Sequence, residues 1–397
     1  MSVGTVFYPR EKPLNTKEQW GEWSGYFSAA VYADFHDIEY NAIREAAAVI
    51  DITPLYKYEI SGPDAARLLD RVMTRDISRM QIDQVHYTPW CDEAGKMLDD
   101  GTVTRTGDRS FRVTAADPCY RWFVLNATQL DVTIEDVSER LAGLALQGRL
   151  SRHVLEAATG KNWDDVRYFR RGTGTIAGVD VDVTRTGYTG DRGYEIWMPS
   201  DRALPVWDAL FEAGEAFGIH PAGIRALDVS RVEAGLILIE AEYTSARHAI
   251  SPEQMYSPFE LGLGRLVDFR KAADFNGRRA LLAEQDSGGP ERRLVGVELD
   301  WAGIEGMYAK HGLAPAISPF VDRSPVPVYR EGRQIGRATS IVWGPTIKKM
   351  IGFGSIEKSF ERVGSRVSVE YTVEGERGRV GATVVTTPFY DPDRKRT

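Results

Sequence analysis

Cysteine is nearly absent from this sequence: Cys91 and Cys119 are the only two in 397 residues. That excludes a disulfide-stapled scaffold, and no cysteine pair has metal-ligand spacing. Long apolar runs are missing as well. The strongest, around Gly235-Leu236-Ile237-Leu238-Ile239, falls far short of the roughly 20 residues that cross a bilayer. Basic runs are confined to Arg394-Lys395-Arg396, and the net charge is -8 with a pI near 5.5. This balance speaks against nucleic acid or an anionic membrane as the main partner, but leaves room for a local basic pocket that takes a small anion. The first residues, Met-Ser-Val-Gly-Thr, lead into polar sequence with no apolar signal core, so the expected location is cytoplasmic. Repeats and low-complexity tracts are also lacking. Gly172-Thr173-Gly174 loosely fits a dinucleotide fingerprint, but it follows Arg170-Arg171 and leads into a strand, which excludes that reading.

What remains is an ordinary globular composition, 43% hydrophobic and 27% charged, on a chain long enough for two or three domains. Residues 1 to about 30 are polar and aromatic-rich and predict an irregular arm. Helices are expected at Glu39–Ala48, after Gly62-Pro63-Asp64, at Asp201–Phe217 and at Gly223–Ala234. Strands are expected at Val49–Ile52, Tyr56–Ile60, Thr102–Arg105, Phe111–Thr114 and Leu144–Gln147. Asp286-Ser-Gly-Gly-Pro290 predicts a linker. Beyond it, short strands with turn signals predict a small all-β barrel or sandwich.

The chemistry centres on Arg185 to Pro199. Gly187, Gly190 and Gly193 recur every third residue, so the backbone can turn sharply and approach a flat ligand. Tyr188 and Glu195 bracket the turn. A ring and a carboxylate on a hairpin can hold a planar heterocycle with several N–H donors, such as a pterin; the plainer alternative is a surface hairpin with an exposed Glu and a packed Tyr. A second stretch holds Tyr87-Thr88, the turn Asp92-Glu93-Ala94-Gly95, and Asp99-Asp100. A third holds Asp228, Arg231 and Glu233-Ala234-Gly235.

Together these stretches resemble the folate-dependent aminomethyltransferase family, whose best-known member is the glycine-cleavage T-protein. The resemblance runs from about residue 39 to 391 and includes Asp274-Phe275-Asn276-Gly277-Arg278, Gly336-Arg337 and Pro388-Phe389-Tyr390. It implies an α+β fold, a three-domain cloverleaf closed by a C-terminal β-barrel or jelly roll. The expected domains are 1–52 with 140–285, then 53–139, then 290–397. It also implies tetrahydrofolate as cofactor, Glu195 as pterin ligand and Asp100 as catalytic carboxylate. Tyr87, Asp100, Tyr188, Glu195 and Arg231 are the expected folate-binding set, although Arg231 equally suits an ion pair with Asp228 or Glu233. No metal is expected.

The chain departs from the T-protein pattern at Asp51-Ile52-Thr53-Pro54, at Glu39-Tyr40, at Leu227 in place of an arginine, and at Ile239-Glu240-Ala241-Glu242. These departures cluster around the one-carbon donor, and Tyr243-Thr-Ser-Ala-Arg247 resembles the family's tetrahydrofolate-dependent demethylases. The expected partner is therefore a small-molecule donor, first of all an aromatic methyl ether or methylenedioxyphenyl compound. A phenolate leaves poorly, so Tyr32, Tyr56, His86 and Tyr243 are candidates to assist it, each also explicable as packing. The alternatives are aminomethyl transfer, a sulfonium donor, or folate binding without catalysis. Nothing in the sequence fixes an oligomeric state.

Overall fold

The computed structural model describes residues 2–397. Three β-systems carry the chain. A six-stranded sheet takes its strands from Ala47–Asp51, Leu141–Gln147, Arg171–Ile176, Val179–Thr184, Gly193–Pro199 and Ile219–Pro221. A five-stranded sheet is built from Tyr56–Ser61, Val85–Cys91, Met97–Gly107, Ser110–Ala115 and Thr133–Asp136. Six strands between Arg292 and Val385 close into a barrel. The fold class is thus α+β with a C-terminal barrel, and of the two forms expected the barrel is the one present. Among the described residues no helix is long and apolar enough to cross a membrane.

Side-chain alternation decides what each sheet face does. In Gly193–Pro199, Tyr194, Ile196 and Met198 pack against Val154, Leu155, Val206 and Leu210 of the helices Ser151–Thr159 and Ala203–Gly214. Glu195 and Trp197 therefore point to the opposite face. In Ser110–Ala115, Phe111, Val113 and Ala115 pack with Leu68, Leu69, Val72 and Phe123. Arg112 and Thr114 then face the other way, and the register puts Thr102 and Tyr87 beside Thr114 on that face. The Arg112 face meets the Glu195–Trp197 face, which elsewhere packs through Ala48, Ile50 and Ala145 on the helices Asp37–Glu45 and Ile224–Glu233. Arg112 on the five-stranded sheet reaches Asp182 on the six-stranded one at 3.0 Å and lies 5.2 Å over the Trp197 ring.

Two sequence expectations change. The arm is ordered: Trp20–Trp23 and Tyr26–Ala29 form a hairpin and Val3–Gly4 adds a parallel strand. Ser24 and Gly25 both have positive φ, the requirement of a tight two-residue turn. The helix expected over Glu39–Ala48 is Asp37–Glu45. Ala47 and Ala48 belong instead to a fully buried strand, paired on one side with Leu141–Gln147 and on the other with Ile219–Pro221. Two-sided pairing and burial override the helical preference of alanine.

Candidate active site between the two sheets

Asp100 sits on the strand Met97–Gly107 and faces the space between the sheets. The Tyr87 hydroxyl donates to its Oδ2 at 2.7 Å and the Tyr243 hydroxyl donates to its Oδ1. Tyr87 comes from the neighbouring strand; Tyr243 comes from a loop of residues 237–255, pinned by Ser245 Oγ to the Leu98 carbonyl at 2.7 Å and by Ala246 N to the Met97 carbonyl at 2.8 Å. Burial pushes the Asp100 carboxyl above its ordinary range, while the two hydroxyls hold it down. Asp99 points to the other face. It accepts N–H bonds from Asp100 at 2.7 Å, Asp117 at 2.9 Å and Ala116 at 3.1 Å, which fixes the turn of backbone that presents Asp100.

Glu195 faces the same space from the six-stranded sheet. Its Oε2 accepts from Thr186 at 2.8 Å and Thr184 at 3.3 Å. Burial raises its pKa; the threonine bonds, then the Arg112 charge, oppose that rise. Asp100, Tyr87, Tyr188 and Glu195 all keep part of their surface open despite lying deep in the chain, so they line internal space. The Tyr188 hydroxyl donates to the Ile237 carbonyl, which leaves its ring as a wall. Its pKa is raised, first by burial, with the charges of Asp100 and Glu242 adding and Arg231 opposing.

The glycines of the hairpin serve close neighbours within the fold as well as the turn expected of them. A Cβ at Gly187 or Gly193 would fall 2.1 or 2.2 Å from Gln147 Oε1, and one at Gly190 would fall 2.3 Å from the Ala234 Cβ. They admit Gln147 and the end of a helix, and Gly190, with positive φ, makes the sharp turn. Gln147 in turn holds the loop, donating to the Thr186 carbonyl at 3.3 Å and accepting from Thr189 at 2.9 Å.

Arg231 is fully buried and committed. Its guanidinium donates to Asp228 at 2.8 Å, Glu242 at 2.7 Å, Ser340 at 2.7 Å and the Leu236 carbonyl at 3.3 Å. Of the two roles open to it, the geometry supports the ion pair. Three of the candidate helpers lie away from Asp100. His86 points to the opposite face from Tyr87, next to Arg75 and Arg170; burial first, then those charges, lower its pKa to about 4. Tyr32 donates to Glu11 at 2.8 Å in the arm, and Tyr56 sits by Ser24 and Asp117. Only Tyr243 of the four reaches Asp100.

Sequence reasoning gave no role to Arg112, Asp99 or Glu242, although the last two lie within the stretches it quoted. Glu242 accepts from Arg231 and the Leu238 N–H with one oxygen and from Ser340 and Thr339 with the other. Glu240 and Glu242 both follow the apolar stretch Leu236-Ile-Leu-Ile239, and only the fold shows that the second of them is the buried one. Two broad surface clefts, of about 490 and 580 Å³, contain none of Asp100, Tyr87, Tyr243 or Glu195.

Comparison with known proteins decides the family. Residues 12–271 match the GCVT N-terminal domain, and residues 292–391 match the glycine cleavage T-protein C-terminal barrel domain. The chain belongs to the glycine-cleavage T-protein family. It is 33% identical over 363 residues to an aminomethyltransferase of Caldanaerobacter subterraneus subsp. tengcongensis, covering 90% of this chain and 88% of that protein. It is 34% identical over 393 residues to a trimethylamine-oxide aldolase of Ruegeria pomeroyi, covering 96% of this chain but 46% of that protein, so it spans about half that relative's length. The fold matches the glycine cleavage system aminomethyltransferase T of Bartonella henselae with a TM-score of 0.82, at 22% identity and over 98% of this chain and 99% of that one. As a T-protein family member the chain is a folate-dependent one-carbon transferase, and its cofactor is tetrahydrofolate. The residues present suit that cofactor. Glu195 offers an acceptor carboxylate between the sheets for a pterin's donor edge, and the Tyr188 and Tyr87 rings supply apolar walls.

Proposed function

We propose that this T-protein relative moves a one-carbon unit from an aromatic methyl ether, a methoxy- or methylenedioxyphenyl compound, to tetrahydrofolate. The observation that supports a transfer site is the Asp100 carboxylate held by Tyr87 and Tyr243 on one wall of the inter-sheet space, with Glu195 on the other. Bound tetrahydrofolate supplies the N5 amine that accepts the carbon. On this reading Glu195 and Tyr188 seat the pterin, and Tyr87 and Asp100 orient the amine edge. Asp100 takes the proton released at nitrogen. The Tyr243 hydroxyl, on the donor-side loop, passes a proton from Asp100 to the leaving oxygen, so the C–O bond breaks to a phenol rather than a free phenolate.

A methylated amine or amine oxide is the second reading. It is favoured by the relative named trimethylamine-oxide aldolase and by the Asp100 carboxylate, which suits a cationic donor. The test is a single-turnover mixture of protein, tetrahydrofolate and ¹³C-methyl methoxybenzoate. The first reading requires free phenol in step with labelled folate, both dependent on tetrahydrofolate. Label in neither, with turnover of trimethylamine N-oxide, would replace it with the second.

A further inference from the structure

Beyond the last barrel strand, Glu376–Val385, the chain leaves the barrel and runs to the hairpin that carries Tyr188 and Glu195. Two contacts fix its course. A Cβ at Gly235 would fall 2.9 Å from the Pro388 Cα, and Tyr390 N donates to the Glu233 carbonyl at 2.8 Å. Residues 390–397 then lie along the turn 185–193, a second support for that turn besides Gln147.

Arg394 is the centre of this contact. Its Nε and Nη2 donate to the two oxygens of Asp191, each at 2.8 Å, and Nη2 also reaches the Arg44 carbonyl at 3.0 Å. The Asp191 side chain is fully buried, whereas that of Arg394 is 29% exposed. Arg192 donates to the Arg394 carbonyl at 3.2 Å and to the Thr397 carbonyl at 2.5 Å; Arg185 donates to the same Thr397 carbonyl at 2.6 Å. Both ends of the turn are therefore tied to one segment of chain. Between those ends lie Thr186, which donates to Glu195 at 2.8 Å, and Tyr188, whose ring is a wall of the inter-sheet space. A two-pronged guanidinium–carboxylate pair fixes direction as well as distance. A supporting shell that gives by about 1 Å is enough to loosen a site.

We propose that Arg394 is a positioning residue for the transfer site: acting through Asp191, it holds the turn that carries Thr186 and Tyr188, and it makes no contact with the cofactor itself. The inference rests on the folate seat proposed above. Arg44 lies 3.8 Å from Asp191, so the buried carboxylate keeps a cation when Arg394 is replaced. Loss of Arg394 therefore loosens the turn without stranding a buried charge, and the chain still folds.

The test is calorimetric titration of tetrahydrofolate into the wild-type chain, Arg394→Gln, Asp191→Asn, the double variant and Glu195→Ala, with amide hydrogen exchange on the first two. Arg394→Gln is expected to raise the Kd roughly tenfold. Exchange should quicken over residues 186–192 and stay unchanged in the barrel. Asp191→Asn should raise the Kd by a similar factor and the double variant by no more than either, as for two residues that act as a unit. An unchanged Kd in Arg394→Gln, with or without a lower Tm, would overturn the proposal. So would losses that add in the double variant, because Arg394 would then act on the ligand directly. If Asp191→Asn folds poorly, the exchange data decide the same point: a raised Kd without faster exchange in the turn means direct contact. Wild-type affinity in Glu195→Ala would instead overturn the folate seat, and this role with it.

Discussion

Tyr87 and Tyr243 reach Asp100 from opposite directions, one from the neighbouring strand and one from a separate loop, and each hydroxyl takes one carboxylate oxygen. A carboxylate held on both oxygens keeps one orientation, and each oxygen retains a lone pair with which it can act as a base. The two bonds to a charged acceptor are each roughly twice as strong as neutral ones.

Asp100→Asn keeps the shape but offers one acceptor oxygen to two donating hydroxyls. Turnover is expected to fall roughly 10²–10⁴-fold, the usual worth of a positioned acid–base group. Folate affinity should change far less. Equal losses in kcat and in folate affinity, from rapid-quench and equilibrium titration, would make Asp100 a binding residue instead.

Glu195→Ala removes the acceptor opposite Asp100 and leaves Thr184 and Thr186 facing open space. Tetrahydrofolate affinity should fall by about 1.5–3 kcal/mol, the range for a hydrogen bond to a charged group. Calorimetric titration checks this, and unchanged affinity would remove the hairpin from the folate seat.

Arg231→Met tests the structural reading of that residue. Asp228 retains Arg323 at 2.9 Å, but Glu242, fully buried, loses the cation paired with it. Breaking such a pair costs about 3–5 kcal/mol. A large fall in Tm is expected, with the folate affinity of the remaining folded protein close to wild type. A stable variant with lost folate affinity would place Arg231 in the binding set.

His86 gives a pH prediction. Its folded pKa, about 4, lies below the ordinary 6.5, so the unfolded chain binds more protons between those values. Its contribution is therefore complete above pH 6.5 and is lost as pH falls toward 4, by up to about 3 kcal/mol. Denaturant titrations of His86→Asn should show a shallower loss of stability over that window. An unchanged slope would mean that His86 titrates normally.

Alternation and turn signals made the main strands, and a barrel or sandwich beyond residue 290, legible before any geometry, and the quoted motifs led to Asp100, Tyr87, Tyr188 and Glu195. Other features needed three dimensions. Whether His86 or Tyr87 faces the site turns on a one-residue alternation whose inward side is set by helices distant in sequence. Arg112 is an unremarkable strand residue until a second sheet brings Asp182 and Trp197 against it. The hairpin glycines pointed to a close neighbour, and only the fold shows that the neighbour is Gln147. The arm was expected, but its hairpin was not, because the turn uses Ser24-Gly25 amid aromatics that fit no single period.

The most direct measurement is the mass of the folate product after incubation with tetrahydrofolate and each donor separately: methoxybenzoates, a methylenedioxyphenyl compound, trimethylamine N-oxide, a dimethylsulfonium acid and an aminomethyl-lipoyl carrier. The account predicts methyl-tetrahydrofolate from a methoxybenzoate or methylene-tetrahydrofolate from the methylenedioxy compound, abolished in Asp100→Asn. Product from the amine oxide, sulfonium or lipoyl carrier, with none from either aromatic donor, would contradict it.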